Sequence, residues 1–149
     1  HHFDHTLQAL PIIAIFMPLL AGLGGNIGTQ SITLMVRGLS TGQVTLNSAI
    51  HHILREASIG LIIGTIFGVL VTLVCWGWQH SKELGAVVGF AMTVNMTMAT
   101  IIGTFTPFAL KAMKVDPAVA SGPVIATTID VLGLAIYFTL VSSFLIKVM

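Results

Sequence analysis

The segment 57–78, ASIGLIIGTIFGVLVTLVCWGW, contains no Asp, Glu, Lys or Arg. An α-helix rises about 1.5 Å per residue, so a helix of this length extends about 33 Å, enough to cross the roughly 30 Å hydrocarbon core of a bilayer. Of the 149 residues in the chain, 55% are apolar and only 7% are charged. Soluble domains carry roughly 25% charged residues. The sequence therefore predicts a membrane protein.

Three other stretches have the same character, over about residues 6–36, 84–110 and 117–146, and Asp130 is their only charged residue. We therefore expect one all-α membrane domain over residues 1–149 with four transmembrane helices. The basic residues that flank the first and third connections are Arg37, Arg55, Lys111 and Lys114. Because cytoplasmic loops are enriched in Lys and Arg, we expect these connections in the cytoplasm and both termini outside.

Composition also argues against several functions. The net charge is +1, so the chain has no basic surface that would attract nucleic acid. A single cysteine, Cys75, supports neither a disulfide framework nor a thiolate metal cluster. The predicted spans offer one carboxylate, amides and hydroxyls, without the nucleophile and base, phosphate cradle or metal cluster that an enzyme needs. Transport or anchoring is the predicted class, and catalysis is not.

Asp130 is the carboxylate inside a predicted span. An ionisable side chain in hydrocarbon costs about 2.5–3.5 kcal/mol on insertion scales, so it indicates a function, a polar partner or a water-filled cavity. Ala126 and Gly133 lie near Asp130 at helical spacing and are small enough to leave room for water or a hydrated ion. The alternative is a structural role, in which Asp130 is protonated or is satisfied by Thr127 or by a neighbouring helix.

The first predicted span carries a polar stripe. Asn26, Gln30, Thr33 and Arg37 are spaced at i, i+4, i+7 and i+11, which places them on one face of a helix. The stripe begins in the glycine-rich segment 22–30, GLGGNIGTQ. Such a face suits a wet pathway, but small residues and amides also hold membrane helices together. The residues alone leave both interpretations open.

Other polar features have local explanations. The threonines of the third span, together with Asn95, predict helix packing, because threonine hydroxyls can bond carbonyls of their own helix. Asp116 followed by Pro117 predicts a helix cap that opens the fourth span. Pro123 is expected inside that span, where it would free a backbone carbonyl. The connection 38–56 predicts a short amphipathic helix at the interface, acting as a linker or in gating.

The available ligand atoms indicate which ions could bind. Oxygen ligands without nearby Cys or His favour Mg²⁺, Ca²⁺ or Na⁺ over Zn²⁺ or copper. A two-fold dimer that brought two Asp130 side chains together would match a divalent cation. Because Mg²⁺ gives up its water reluctantly, we expect a hydrated ion held through outer-shell contacts beside Ala126 and Gly133.

A resemblance to a known family supports this interpretation. Residues 18–30, PLLAGLGGNIGTQ, followed by Arg37-Gly38-Leu39, resemble the signature of the MgtE family of magnesium channels. Further matching features follow in the family's order at Arg55-Glu56, Pro107, 116–118, 121–123 and 128–133. The resemblance covers almost the whole chain.

The resemblance implies a homodimeric, Mg²⁺-selective channel whose pore follows the dimer axis and is lined by the first and fourth spans. Asp130 matches the central ion-binding aspartate, and Ala126 matches a position close by that acts through its backbone or through outer-shell contact. Asn26 and Gln30 match residues near the cytoplasmic half of the pore. Glu56, which by itself reads as an interfacial charge, and Asp116 match acidic positions where further ion contacts are expected.

The resemblance also implies parts that this chain does not contain. Family members carry a cytosolic N-terminal domain, a pair of CBS domains and one further membrane helix, which gives five spans per protomer in the bacterial inner membrane. Two alternatives remain open. One is a Na⁺- or H⁺-coupled divalent cation exchanger. The other is a non-conducting membrane assembly subunit whose polar and glycine residues only pack helices.

Overall fold

The computed structural model describes residues 2–79, 82–121 and 123–148, with side chains placed for 14–78, 82–119 and 126–143. The helices in these ranges are α1 (His2–Ser40), α2 (Ala49–Gln79), α3 (Lys82–Ala112) and α4 (Pro123–Val148). Short 3-10 helices, η1 (Leu46–Ser48) and η2 (Pro117–Ser121), precede α2 and α4. The described ranges contain no strand. The predicted all-α class is confirmed.

Three described segments are long and apolar enough to cross a membrane: Leu46–Trp78, Lys82–Ala112 and Ala126–Ser143. They correspond to the spans predicted over 57–78, 84–110 and 117–146. The span predicted over residues 6–36 lies within α1, and its crossing of the membrane stays a prediction.

Helix α3 lies at the centre of the bundle and contacts all three other helices. It runs antiparallel to α2, since Gly89 packs on Gly68 and Gly85 on Thr72 and Cys75. It runs parallel to α1, because Gly28 lies beside Ala99 while Lys111, farther along α3, reaches Leu39. Helix α4 returns antiparallel to α1 and α3. This arrangement brings the middle of α4 against the glycine-rich part of α1.

The apolar core follows α3. Val88, Met92 and Met96 are fully buried and pack with Leu20 of α1 and Tyr137 of α4. A second, smaller cluster holds Ile32, Ala99 and Ile129, and a third holds Met35, Leu39, Val44 and Phe108. The core therefore joins α1, α3 and α4 over most of their described length.

Two predicted boundaries are wrong. The connection 38–56 contains no separate α-helix, because α1 continues to Ser40, α2 already starts at Ala49, and only the three-residue 3-10 helix η1 lies between them. Residues 49–59 contain no Gly or Pro to interrupt a helix, so the apolar residues predicted for an interfacial helix form the first turns of α2. Pro123 does not lie inside a helix: it is the first residue of α4, where its missing N–H group costs no hydrogen bond.

Candidate functional site

Asp130 lies on α4 and points at the backbone of α1. A side chain on Gly25 would overlap its Oδ1 atom, so only glycine lets the carboxylate approach this closely. Oδ1 is buried and accepts no hydrogen bond from the residues that the structure describes. A buried carboxylate oxygen without a donor is costly, and a proton or a cation would relieve that cost.

The glycines of α1 do not all serve the same purpose. Gly24 faces Asn95 of α3, Gly25 faces Asp130, and Gly28 faces Ile129 and the carbonyl of Ala99. Gly22, in contrast, has open space where a Cβ atom would stand. Three of the four glycines therefore pack helices, which is the structural role that the sequence left open.

The polar stripe of α1 lies on the other side of the helix. Asn26, Gln30, Thr33 and Arg37 are all exposed, whereas Ser31 and Met35, on the opposite face, are buried. The Thr33 hydroxyl donates to the carbonyl of Thr29 at 2.9 Å, within its own helix. The stripe is thus not used for packing inside this chain, and its side chains face outward where water, an ion or a second copy can reach them.

The two small residues predicted beside Asp130 differ in their surroundings. Ala126, one turn before Asp130 on α4, is half-buried. Gly133, one turn after it, is buried, and a Cβ atom there would overlap Oδ1 of Asn95. The close approach predicted at Gly133 is therefore made by a protein amide. Space for an ion beside Asp130 remains a prediction on the Ala126 side.

Each of the two acidic residues predicted as peripheral contacts accepts a hydrogen bond from another part of the chain. Glu56 of α2 is buried, and the Ser31 hydroxyl of α1 donates to its Oε2 atom at 2.9 Å. Asp116 is exposed, and its Oδ1 accepts a hydrogen bond from the backbone N–H of Ala118 at 2.9 Å. The predicted cap at Asp116 is confirmed, although it caps η2 instead of α4. The predicted ion contacts of both residues stay predictions.

The third span behaves as the packing interpretation expects. Thr97 and Thr106 donate to carbonyls four residues earlier in α3, and Thr93 also donates to the carbonyl of Gly64 on α2 at 3.1 Å. Asn95 is buried and donates to the carbonyl of Leu20 on α1. Sequence reasoning identified these residues as packing groups but not which helices they join, because their spacing carries no information about the partner.

The donor set suits a weakly coordinated hard cation. In the part of the chain with described side chains, no three His, Cys, Asp or Glu residues come together as a metal cluster would require. An ion at Asp130 would therefore meet no cluster of three such side chains among the described residues. Such a site fits a hydrated ion or a site shared between two copies better than a dehydrated transition metal.

Comparison with known proteins places this sequence in a family. A family model described as "Divalent cation transporter", MgtE, matches residues 17–140. The chain is 38% identical over 144 residues to a magnesium transporter MgtE of Bacillus subtilis, covering 97% of this chain and 32% of that protein. It is 35% identical to the Enterococcus faecalis protein of that name, over 97% of this chain and 32% of that protein.

A third relative has a similar alignment. The magnesium transporter MgtE of Thermus thermophilus is 36% identical over 137 residues, covering 92% of this chain and 30% of that protein. The chain thus spans about a third of the length of these curated relatives. The family match includes α2, α3, the Asp130 region of α4 and the polar stripe of α1. The chain belongs to the MgtE family of divalent cation transporters.

Proposed function

We propose that this chain forms the pore of a Mg²⁺-selective channel that conducts hydrated divalent cations down their gradient through a pathway centred on Asp130. The observation that carries the proposal is the buried Oδ1 atom of Asp130, which has no hydrogen-bond donor among the described residues. Relatives that are named magnesium transporters support Mg²⁺ as the transported ion. Transport, not catalysis, is the function of the site.

The pathway follows the axis of a homodimer. The exposed stripe of Asn26, Gln30 and Thr33 continues along α1 from the level of Asp130, since Asn26 is adjacent to the Gly25 that receives the carboxylate. A single copy leaves this polar face uncovered. Two copies that face each other across a two-fold axis would enclose it and would bring two Asp130 carboxylates to one divalent ion.

The proposal extends to the surroundings of this pore. The chain is an integral membrane protein of the bacterial inner membrane, and both ends of its sequence lie on the outer side. The relatives are about three times longer than the aligned part, so we propose that cytosolic regulatory domains, including CBS domains, and a further membrane helix act together with this pore. Ala126, Glu56 and Asp116 provide secondary contacts along the ion path.

The test is Mg²⁺ uptake into liposomes that contain the full-length protein, under a Mg²⁺ gradient with no other ion gradient. Asp130→Asn keeps the size of the side chain and removes its charge, and we expect it to abolish uptake. Glu83→Gln is the matched control, because Glu83 is an exposed carboxylate in the first turn of α3, away from the pathway. Equal uptake by native protein and Asp130→Asn would overturn the central role of Asp130.

The same assay separates the alternatives. A coupled exchanger would transport Mg²⁺ only when a Na⁺ or H⁺ gradient is imposed, so uptake without such a gradient supports the channel. A non-conducting assembly subunit would show no uptake in either variant, while Asp130→Asn would change thermal stability or oligomer size. Loss of uptake with an unchanged oligomer is the result we expect.

A further inference from the structure

The side chain of Asn95 connects three helices in the middle of the bundle. It lies on α3 with only 3% of its surface exposed. Its Nδ2 atom donates to the Leu20 carbonyl of α1 at 3.1 Å. Its Oδ1 atom lies against the backbone of Gly133 on α4. A buried amide of this kind is retained because it bonds or packs on specific backbone atoms.

Glycines on both sides make room for this amide. A Cβ atom on Gly24 would stand 2.9 Å from Nδ2, closer than carbon and nitrogen tolerate. A Cβ atom on Gly133 would overlap Oδ1. The amide therefore fills a slot between the glycine backbone of α1 and the glycine backbone of α4, and it sets how closely these two helices approach each other.

This slot lies at the same level as Asp130. Gly25, which receives the Asp130 carboxylate, is the residue next to Gly24 on α1. Gly133 follows Asp130 on α4 by three residues, about one helical turn. The Oδ1 atom of Asp130 has no donor among the described side chains and backbone groups, so no hydrogen bond to that oxygen holds it in place. Its position depends on how α4 sits against α1.

We propose that Asn95 is a positioning residue for the ion pathway. Its amide contacts α1 at Gly24 and α4 at Gly133, and it thereby fixes the distance and the rotation of α4, with its Asp130 carboxylate, relative to α1. This inference rests on the proposed function of Asp130 as the central ion ligand. Asn95 itself does not touch the ion. Removing an outer-shell group that is hydrogen-bonded to a metal ligand typically changes metal affinity by roughly 10- to 100-fold, and we expect loss of a packing contact that sets the ligand's position to act in the same direction.

The test measures how uptake depends on Mg²⁺ concentration in the full-length protein in liposomes. Asn95→Ala removes the amide, and Gly24→Ala displaces it while keeping it. Both are expected to raise the half-saturating Mg²⁺ concentration by roughly tenfold and to lower the ratio of Mg²⁺ to Ca²⁺ uptake. Gly77→Ala is the control, because it makes the same change near the end of α2, away from the proposed pathway, where nothing lies within 4 Å of the Cβ position, and it should change neither quantity.

A second control separates positioning from simple loss of an interhelical bond. Thr93→Val removes the bond from Thr93 to the Gly64 carbonyl, which joins α3 to α2 away from Asp130. It should lower the melting temperature of the detergent-solubilised protein and leave the half-saturating concentration unchanged. A shift with Thr93→Val as large as that with Asn95→Ala would overturn the positioning role.

The remaining outcomes are also decisive. If Asn95→Ala does not fold, Gly24→Ala gives the answer, since it retains the amide. If Gly24→Ala matches Gly77→Ala in half-saturation and in ion preference while Asp130→Asn abolishes uptake, the positioning role fails and the proposed function stands. If Asp130→Asn retains full uptake, the proposed function itself fails.

Discussion

The threonine hydroxyls of α3 differ in their partners. Thr97 donates to the carbonyl of Thr93 at 2.8 Å, and Thr100 donates to the carbonyl of Thr97 at 2.8 Å. Thr104 is fully buried, and its Oγ1 atom has no partner among the residues described. A buried polar group without a hydrogen bond costs about 1–3 kcal/mol. Thr104 is therefore a site where a polar atom lowers the stability of the fold.

Thr104→Val should raise the free energy of unfolding by about 1 kcal/mol, because it replaces the unpaired hydroxyl with a methyl group of similar size. Thr100→Val is the matched control: it is equally buried but loses a hydrogen bond, so it should leave stability unchanged or lower it. Denaturant or thermal unfolding in detergent measures both changes. A loss of stability with Thr104→Val would show that the hydroxyl has a partner in the folded protein.

Ser31 and Glu56 form a buried polar pair between α1 and α2. Ser31→Ala removes the donor and leaves the buried Glu56 oxygen without it, so we expect a loss of about 1–3 kcal/mol. In a Glu56→Leu background the same Ser31 change should cost much less, because no buried carboxyl group remains to be satisfied. Ser58→Ala, an exposed serine bonded within α2, is the control and should have little effect. Additive losses in the double variant would argue against the pairing.

At the scale of single residues, the sequence identified Asp130 because a carboxylate in a 30-residue apolar stretch is costly whatever surrounds it. The glycines at 22, 24, 25 and 28 could not be separated in this way. Their spacing allows each of them to pack a helix, and only the position of α3 and α4 shows that Gly22 faces open space while Gly25 faces Asp130. The sequence predicts Asn95 as a packing residue, but it does not show that the side chain packs between α1 and α4.

The pairing of α2 with α3 depends on glycines where the two backbones meet. Gly68 packs against the Gly89 backbone, with each glycine facing the other's carbonyl. Gly68→Ala would place a methyl group against this backbone, which cannot move away as a flexible side chain could. We expect a loss of about 1–3 kcal/mol in unfolding free energy, measured by thermal unfolding in detergent.

Gly77→Ala is the control for this prediction. Gly77 lies in the last turn of α2 with nothing within 4 Å of its Cβ position. Alanine favours a helix over glycine by up to about 1 kcal/mol, so stability should be unchanged or rise slightly. Equal effects of the two substitutions would mean that glycine's flexibility, not the close approach of α2 and α3, determines the result.

Helix identity could be predicted from the sequence better than helix ends. Long apolar stretches predicted, in the right order, the three helices that the described residues show to be long and apolar enough to cross a membrane. The ends were wrong where local signals were weak. Polar residues between Arg37 and Glu56 suggested a separate element, yet without Gly or Pro after Ala49 the α-helix simply starts earlier. The sequence predicts Pro123 inside a helix because residues 117–121 are apolar or small, so the hydrophobic pattern does not distinguish the 3-10 helix η2 from the first turns of α4.

The surface of the whole molecule has two contrasting sides. The outward face of α2 is apolar, and its shallow groove is lined by Leu61, Ile62, Thr65, Ile66, Val69 and Leu70. The outward face of α1 carries the polar stripe that begins at Asn26. An apolar face suits contact with lipid, whereas amides and hydroxyls suit contact with water or with a second protein. The distribution of polarity is therefore the observation that supports the proposed dimer axis along α1.

Asn26→Cys should allow two copies of the chain to be cross-linked in the membrane, because the proposed dimer axis runs along the polar stripe of α1. A path wide enough for a hydrated ion keeps the paired side chains farther apart than a disulfide allows, so a short bismaleimide is the suitable reagent. Leu70→Cys, on the apolar face of α2, is the matched control and should not cross-link. The native Cys75 is 2% exposed and should contribute little background. Dimers that form through Leu70→Cys and not through Asn26→Cys would place the interface on α2 and remove the axial pathway, whereas the expected pattern supports a pore shared between two protomers.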